Sequence, residues 1–194
     1  MRNTLLRAAA VVAFALPVSS YAQEAVLELD PAQTHIAFTL AEVLRPVHGT
    51  FKLKSGTIRF DPATGDASGL VVVDLTSGES GNNSRDRKMH KEVLESQKYP
   101  EATFTPVRVG GRLEAQGESP LQLSGIFKLH GKEHELMLAT TVLRDGDRLT
   151  ATTHLLIPYA DWGLKNPSTL FVHVDNQVEI DVKAVGRLTL PTVK

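Results

Sequence analysis

The sequence contains no cysteine, and it has only a small formal net charge of −1. The absence of cysteine excludes a disulfide framework, thiol catalysis, thiolate metal sites and a lipid-modified N-terminal cysteine. The absence of excess positive charge argues against nucleic acid as a partner, because binding to phosphate backbones requires a basic surface. No apolar run approaches the roughly 20 residues that a membrane-spanning helix needs.

Signatures of common enzyme classes are also missing. There is no G-x-S-x-G elbow to present a nucleophile, and Gly110-Gly111 precedes a strand-like run instead of the helix that a phosphate-binding loop requires. One segment, His130 to His134, formally fits the H-x-x-E-H metalloprotease pattern, which needs a helix to place both histidines on one face. Gly131 interrupts it and alternating leucines flank it, so we predict a hairpin turn with solvated histidines and no cofactor.

The first residues have the features of a secretory leader. Arg2 and Arg7 flank the start of an apolar run that continues to Leu16, and Ser20-Tyr21-Ala22 supplies small residues for cleavage. We therefore expect a signal peptide over residues 1–22, cleavage after Ala22, and a mature protein of residues 23–194 in the periplasm or the medium. A mature chain of that length is sufficient for one domain with its own core.

Most of the mature chain shows the period-two alternation of strands with one buried face. Strands are predicted from Val26, at Ile36 to Leu40, and at Gly49 to Leu53 with Thr57 to Phe60 as a separate pair. Later strands are predicted at Leu70–Leu75, from Phe104, at 121–129 and 135–143 as a hairpin, at 149–157, at 171–174 and at 178–190. About eight strands separated by turns favour an all-β antiparallel barrel or sandwich.

One short helix interrupts this pattern. Asn83 and Ser84 are suitable N-cap residues, and Met89, Val93 and Leu94 form a narrow apolar stripe before Pro100. We predict a helix over Ser84–Gln97 that lies on a sheet face or a barrel mouth. Arg85 and Arg87, with Lys88 and Lys91 nearby, could bind an anionic head group there, although a solvated face is the alternative.

Several segments, in order, resemble the YceI-like family of polyisoprenoid-binding proteins over about residues 25–188. They are Leu29-Asp30-Pro31 with Ile36-Ala37-Phe38, residues 49–61, residues 85–104, residues 124–132, and Asp161-Trp162-Gly163-Leu164. The resemblance implies a lipocalin-like, eight-stranded antiparallel barrel with the helix at its mouth. It also implies an interior channel for a long apolar chain, a homodimer and no catalytic activity.

The resemblance also implies that the large apolar side chains line a cavity, a conclusion that periodicity alone leaves open. The candidate lining residues are Phe38, Phe51, Ile58, Phe60, Val72, Met89, Leu94, Phe104, Phe127, Trp162 and Phe171. Trp162, with Tyr159, suits a cavity rim or a dimer contact, and burial as ordinary structure is an equal alternative.

We therefore expect a carrier of polyisoprenoid or fatty-acyl chains, for transport or storage, that contacts membranes transiently. Two alternatives come from other classes: a metal-dependent hydrolase using His130 and His134, and a stress-related protein that acts through a protein partner.

Overall fold

The computed structural model of the protein describes residues 24–42, 45–168 and 173–191. The predicted leader and Phe171 lie outside these residues. The described part contains nine strands, one α-helix and a π-helical segment. In chain order they are β1 Ala25–Leu29, β2 His35–Glu42, β3 Val47–Phe60, β4 Ala67–Glu79, α1 Asn83–Lys88, the π-helical segment Met89–Val93, β5 Glu101–Gly110, β6 Gly117–Leu129, β7 Lys132–Asp145, β8 Arg148–Ile157 and β9 Val174–Thr189.

Strands β2 to β9 form a closed antiparallel barrel. Each pairs with its neighbours in chain order, and β9 returns to pair with β2, for example at Ile36 and Val182. Strand β1 occupies the same place as β2, between β3 and β9, but nearer the other end of the barrel. The two are therefore one broken strand, interrupted by a turn in which the Asp30 carboxylate accepts the Ala32 N–H. The prediction of an eight-stranded antiparallel barrel is confirmed.

Strand β3 corrects one prediction. Residues 49–53 and 57–60 are not two strands joined at Ser55-Gly56, because β3 runs through them from Val47 to Phe60. The pairing with β4 shifts in register between Leu53 and Ser55, which indicates a bulge. Gly56 follows this bulge and is not a turn residue, because it pairs with Val71 of β4. A β-carbon there would lie 2.6 Å from Leu29 Cδ1.

The helix is also shorter than predicted. Asn82 is its N-cap and accepts the backbone N–H groups of Ser84 and Arg85. The α-helical turn gives way to the π-helical segment, which ends at Val93, well before Gln97. Glu95 then adopts a left-handed φ of +45°, so the chain leaves helical geometry before Pro100 can end it. No helix among the described residues is long and apolar enough to cross a membrane.

The two ends of the barrel differ. The end near the β3–β4 and β7–β8 turns is filled by a cluster that we call the closed-end cluster: Ala25, Leu27, Ile58, Phe60, Val142, Leu149 and Leu188. The opposite end, which we call the helix end, carries α1, the β6–β7 turn and the segment after β8. A second buried cluster lies there, including Leu75, Leu94, Leu129, Tyr159 and Leu164. The space between these clusters is where a site can form.

Candidate functional site

An apolar cavity of about 530 Å³ lies inside the barrel. Side chains from every strand and from the helical segments line it, from Leu27 and Ile58 near the closed end to Leu94 and Leu164 at the helix end. A barrel of eight strands has just enough interior for side chains or for one ligand, so the size of the inward residues decides between them. Here several inward positions are small.

The small residues lie directly above the closed-end cluster. Ala151 of β8 faces the interior opposite Ala184 of β9, and Thr140 of β7 lies opposite Thr153 of β8. These short side chains leave the middle of the barrel unfilled. The large residues of the closed-end cluster make a floor beneath them.

Most of the predicted lining residues face this cavity. Those that do are Phe38, Phe51, Ile58, Met89, Leu94, Phe104 and Phe127. The rings of Phe38 and Phe51 pack together with centroids 5.3 Å apart. Phe38 also lies over Gly49, where a β-carbon would be only 2.2 Å from the ring. The role of these residues in binding stays a prediction.

Three predicted lining residues lie elsewhere. Phe60 faces inward but belongs to the closed-end cluster, where it helps to form the floor. Val72 is buried on the opposite face of β4, because its neighbours Val71 and Val73 face the cavity and side chains alternate along a strand. Trp162 lies beside β7 at the helix end and does not line the cavity.

The charged groups of the lining are at the mouth. Arg85 and Lys88 of α1 and Glu42 of β2 line it, whereas the predicted head-group residue Arg87 does not. Residues three apart share one face of a helix, so the sequence spacing pairs Arg85 with Lys88. The Arg85 guanidinium donates to the hydroxyl and the carbonyl oxygen of Ser80, both at 2.8 Å. Lys88 Nζ donates to the carbonyl oxygen of Pro167 at 2.9 Å.

Polar contacts hold the helical segment over the mouth. Glu92 accepts from Lys165 at 2.7 Å, and this ammonium group lowers the pKa of the Glu92 carboxyl. His90 bonds through Nε2 to the Gly78 carbonyl oxygen at 2.8 Å and through Nδ1 to the Ser96 hydroxyl at 3.0 Å. These bonds attach the segment to β4 and to the chain that follows β8.

The histidine hairpin differs in detail from the prediction. Strands β6 and β7 do form a hairpin, but its turn is only His130-Gly131, and His134 lies within β7. Neither histidine is simply solvated. The His130 side chain is only 16% exposed, and its Nε2 lies 2.6 Å from Glu95 Oε2. His130 has a left-handed φ of +52°, as Glu95 does, so this pair joins two unusual backbone positions.

His134 stacks on Trp162, with ring centroids 3.8 Å apart and planes within 9° of parallel. Its Nε2 is buried and has no hydrogen-bond partner in the described part of the chain. Burial, with the nearby Lys132 ammonium, lowers the pKa of the imidazole. Within the described ranges, no three His, Asp or Glu side chains form a cluster that could hold a metal ion.

Tyr159, which the sequence predicted with Trp162 at a cavity rim or a dimer contact, lines the cavity at the helix end. It is almost fully buried, and its hydroxyl donates to the Asp175 carbonyl oxygen. Burial, with the Asp175 charge, raises the pKa of the phenol to about 12. The sequence signal was its position directly after the apolar end of β8.

Comparisons with known proteins agree with this architecture. The profile of the YceI-like domain matches residues 27–186. A UPF0312 protein of Vibrio parahaemolyticus is 30% identical over 134 residues, which cover 68% of this chain and 69% of that protein. One from Pseudomonas syringae pv. tomato is 31% identical, covering 62% of this chain and 65% of the relative.

Solved structures show the same fold at low sequence identity. A polyisoprenoid-binding domain of Saccharophagus degradans, implicated in plant cell wall breakdown, superposes with a TM-score of 0.66 at 18% identity, covering 84% of this chain and 98% of the domain. BcnA of Burkholderia cenocepacia gives 0.65 at 20% identity, covering 81% of this chain and 98% of BcnA.

Proposed function

Because the chain belongs to the YceI-like family, we propose that it is a non-enzymatic carrier that holds one long apolar chain inside its barrel. The cargo class is polyisoprenoid or fatty acyl, and the role is transport or storage. One observation carries the proposal: an apolar cavity of about 530 Å³ runs from the mouth to the closed-end floor. The polyisoprenoid-binding domain of similar fold supports the same cargo class.

The shape of the cavity explains how such a carrier would gain affinity. Each methylene that is removed from water contributes about 0.8 kcal/mol, so about ten of them contribute roughly 8 kcal/mol before the costs of association. A free energy of that size corresponds to a dissociation constant of about 1 μM, and the costs of association weaken binding from that limit. Because the interior is lined mainly by hydrocarbon, chain length would matter more than chain identity.

Native mass spectrometry of the full mature chain, followed by organic extraction, tests the proposal directly. The expected result is one long-chain lipid per protein, released on extraction. A protein that carries no lipid, and that takes up neither a fluorescent acyl probe nor a polyprenol after delipidation, would contradict it.

The mouth supports a more specific expectation for the head group. Arg85 and Lys88 line it, so an anionic lipid should bind more tightly than a neutral lipid with the same chain. Replacing both in R85A/K88A should remove this preference and preserve binding of the neutral lipid. The matched control is R87A/K91A, which removes the same charge from exposed positions outside the lining of the same helical segment. An equal loss in both variants would contradict a specific head-group site.

The carrier is also proposed to be periplasmic or secreted, to work as a homodimer and to contact membranes transiently. Fractionation with N-terminal sequencing should find a mature chain beginning at Gln23. Light scattering should find a mass twice that of the mature chain, and flotation with vesicles should detect weak, reversible binding. A protein retained in the cytoplasm with Met1 in place would contradict the proposed location.

A further inference from the structure

The wall of the barrel parts between β7 and β8 at the helix end. In the described chain, the pairing of these strands begins at the β7–β8 turn and ends at Thr140 and Thr153. Both strands nevertheless continue, β7 back to Lys132 and β8 on to Ile157. Their other partners stay paired there, since β6 follows β7 to Lys132 and β9 follows β8 to Ile157. The strands are thus intact, and only the seam between them is open.

The inner face of this seam is apolar, and its outer face carries two large exposed apolar side chains between the polar residues Glu135 and His154. Toward the interior, Leu136 and Leu138 of β7 and Leu155 of β8 line the cavity. Toward the outside, Met137 is 65% exposed and Leu156 is 53% exposed. These two would face each other if the register of the paired half continued. An apolar path therefore leads from solvent to the cavity lining.

The seam has a defined lower and upper limit. At the lower limit, the Thr153 hydroxyl donates to the Ala139 carbonyl oxygen at 2.8 Å, so a side chain takes the place of the next backbone rung. At the upper limit, the turn after β8 crosses to β7 and lays Trp162 on His134. Since a strand rises about 3.3 Å per residue, the edge from His134 to Thr140 is about 20 Å long. We call this opening the β7–β8 window.

The mouth under the helix is more firmly closed than the window. The helical segment makes polar bonds to β4 and to the segment after β8, through His90, Glu92 and Lys88. Glu95, two residues beyond its end, bonds to the β6–β7 turn. Moving it aside breaks all of these bonds. At the window, by contrast, the contacts of Trp162 across the upper limit are aromatic, with the rings of His134 and Phe127, and Met137 and Leu156 are exposed on the flanks.

We infer that the apolar cargo enters and leaves sideways through the β7–β8 window, with Trp162 on His134 as its latch. This inference rests on the proposed carrier function. It assigns the exposed Met137 and Leu156 to the path of the hydrocarbon chain. It leaves the helical segment in place as the fixed roof over the head group.

Bridging the window tests the route. The chain has no cysteine, so M137C/L156C carries only the two introduced thiols, and a short bismaleimide can join them across the seam. The matched control is T141C/T152C, whose exposed positions face each other on the paired half of the same strands. Uptake and release of a fluorescent hexadecanoyl probe are followed by stopped flow. A second variant, E95C/H130C, tethers the helical segment to the β6–β7 turn.

The expected result is that the bridged window slows both uptake and release by at least about tenfold, which corresponds to about 1.4 kcal/mol in the barrier. The amount bound at equilibrium should stay the same. The control bridge and the helix tether should leave both rates unchanged. W162A, which removes the latch, should accelerate both, whereas W162F should retain most of the slow exchange.

Two outcomes would overturn the inference, and they differ. If the bridged window exchanges probe at the rate of the unbridged protein while the helix tether slows it, the route is the mouth and the carrier function stands. If the unbridged protein takes up no probe, the carrier function fails and the window fails with it.

Discussion

Replacing Ala151 with phenylalanine distinguishes a true cavity from a packed core. Ala151 of β8 faces the interior of the barrel, where it lines the cavity and packs against the closed-end cluster. If the space above it is empty, the new ring buries itself there, and A151F should raise the free energy of unfolding of the delipidated protein by about 1 to 2 kcal/mol. If the space is filled, overpacking should lower that free energy by about 1 to 3 kcal/mol.

The same substitution should weaken the binding of long chains. A phenylalanine side chain on the cavity floor displaces about three methylenes of the cargo, which costs about 2 kcal/mol, or roughly 30-fold in affinity. Chains too short to reach the floor should bind as before. The affinity of the wild type should therefore rise with chain length to a plateau that A151F reaches at a shorter length.

Urea unfolding and titration with a series of acyl chains measure both effects. T152F is the matched control, because the adjacent Thr152 is exposed on the outer face of the same strand. It should change neither the dependence on chain length nor the stability by more than about 0.5 kcal/mol. A destabilised A151F that binds long chains as the wild type does would refute the reasoning.

Three further predictions concern single side chains. G49A should lower the free energy of unfolding by about 1 to 3 kcal/mol in urea, because a β-carbon would lie 2.2 Å from the Phe38 ring and 2.4 Å from the Glu79 carbonyl oxygen. Adding G49A to F38L should cost less than adding it to the wild type, because F38L relieves the contact with the ring but not the contact with the backbone. Tyr159 has a raised pKa of about 12, so its neutral form favours the fold, and this contribution is fully present below pH 10 and lost as the pH rises toward 12. The wild type should lose about 1 kcal/mol more than Y159F between pH 9 and pH 11, and equal losses would contradict this. His134 has a lowered pKa, so the unfolded chain takes up a proton first and stability is lost as the pH falls through about 6.5 and below. Between pH 8 and pH 5, the free energy of unfolding of H134F should fall less than that of the wild type. Parallel stability curves for the two proteins would contradict a buried imidazole with a lowered pKa.

The barrel could be predicted because most of its strands have one buried face and alternate cleanly. The error at β3 arose because Ser55-Gly56 has the composition of a turn, yet the chain uses it as a bulge beside β4. Local sequence does not distinguish these two uses of glycine, since only the partner strand decides between them. The helix was predicted too long because the left-handed turn at Glu95 accompanies its contact with His130, which is distant in sequence.

The candidate site was predicted in outline but not in its limits. Phe60 and Ile58 lie on the same face of β3, and both belong to the closed-end cluster, but only Ile58 also lines the cavity. The difference depends on how far along the barrel axis each residue lies. Val72 was misassigned because β4 is apolar on both faces there. Residue periodicity alone predicts neither the cavity nor the window, because both depend on which strands do not pair and which side chains do not pack against each other.

The return of β9 to β2 has a consequence for folding. Ile36 pairs with Val182 and Val26 pairs with Thr189, so closing the barrel brings together strands from the two ends of the described chain. Loop entropy makes such contacts slow to form, and until they do, two strand edges and the apolar interior stay open to solvent. Because the Asp30 turn separates β1 from β2, this closure consists of two short pairings with β9, one by β1 and one by β2. The chain can therefore close its barrel in two smaller steps, and its strand edges and interior are most exposed to aggregation before the first of them.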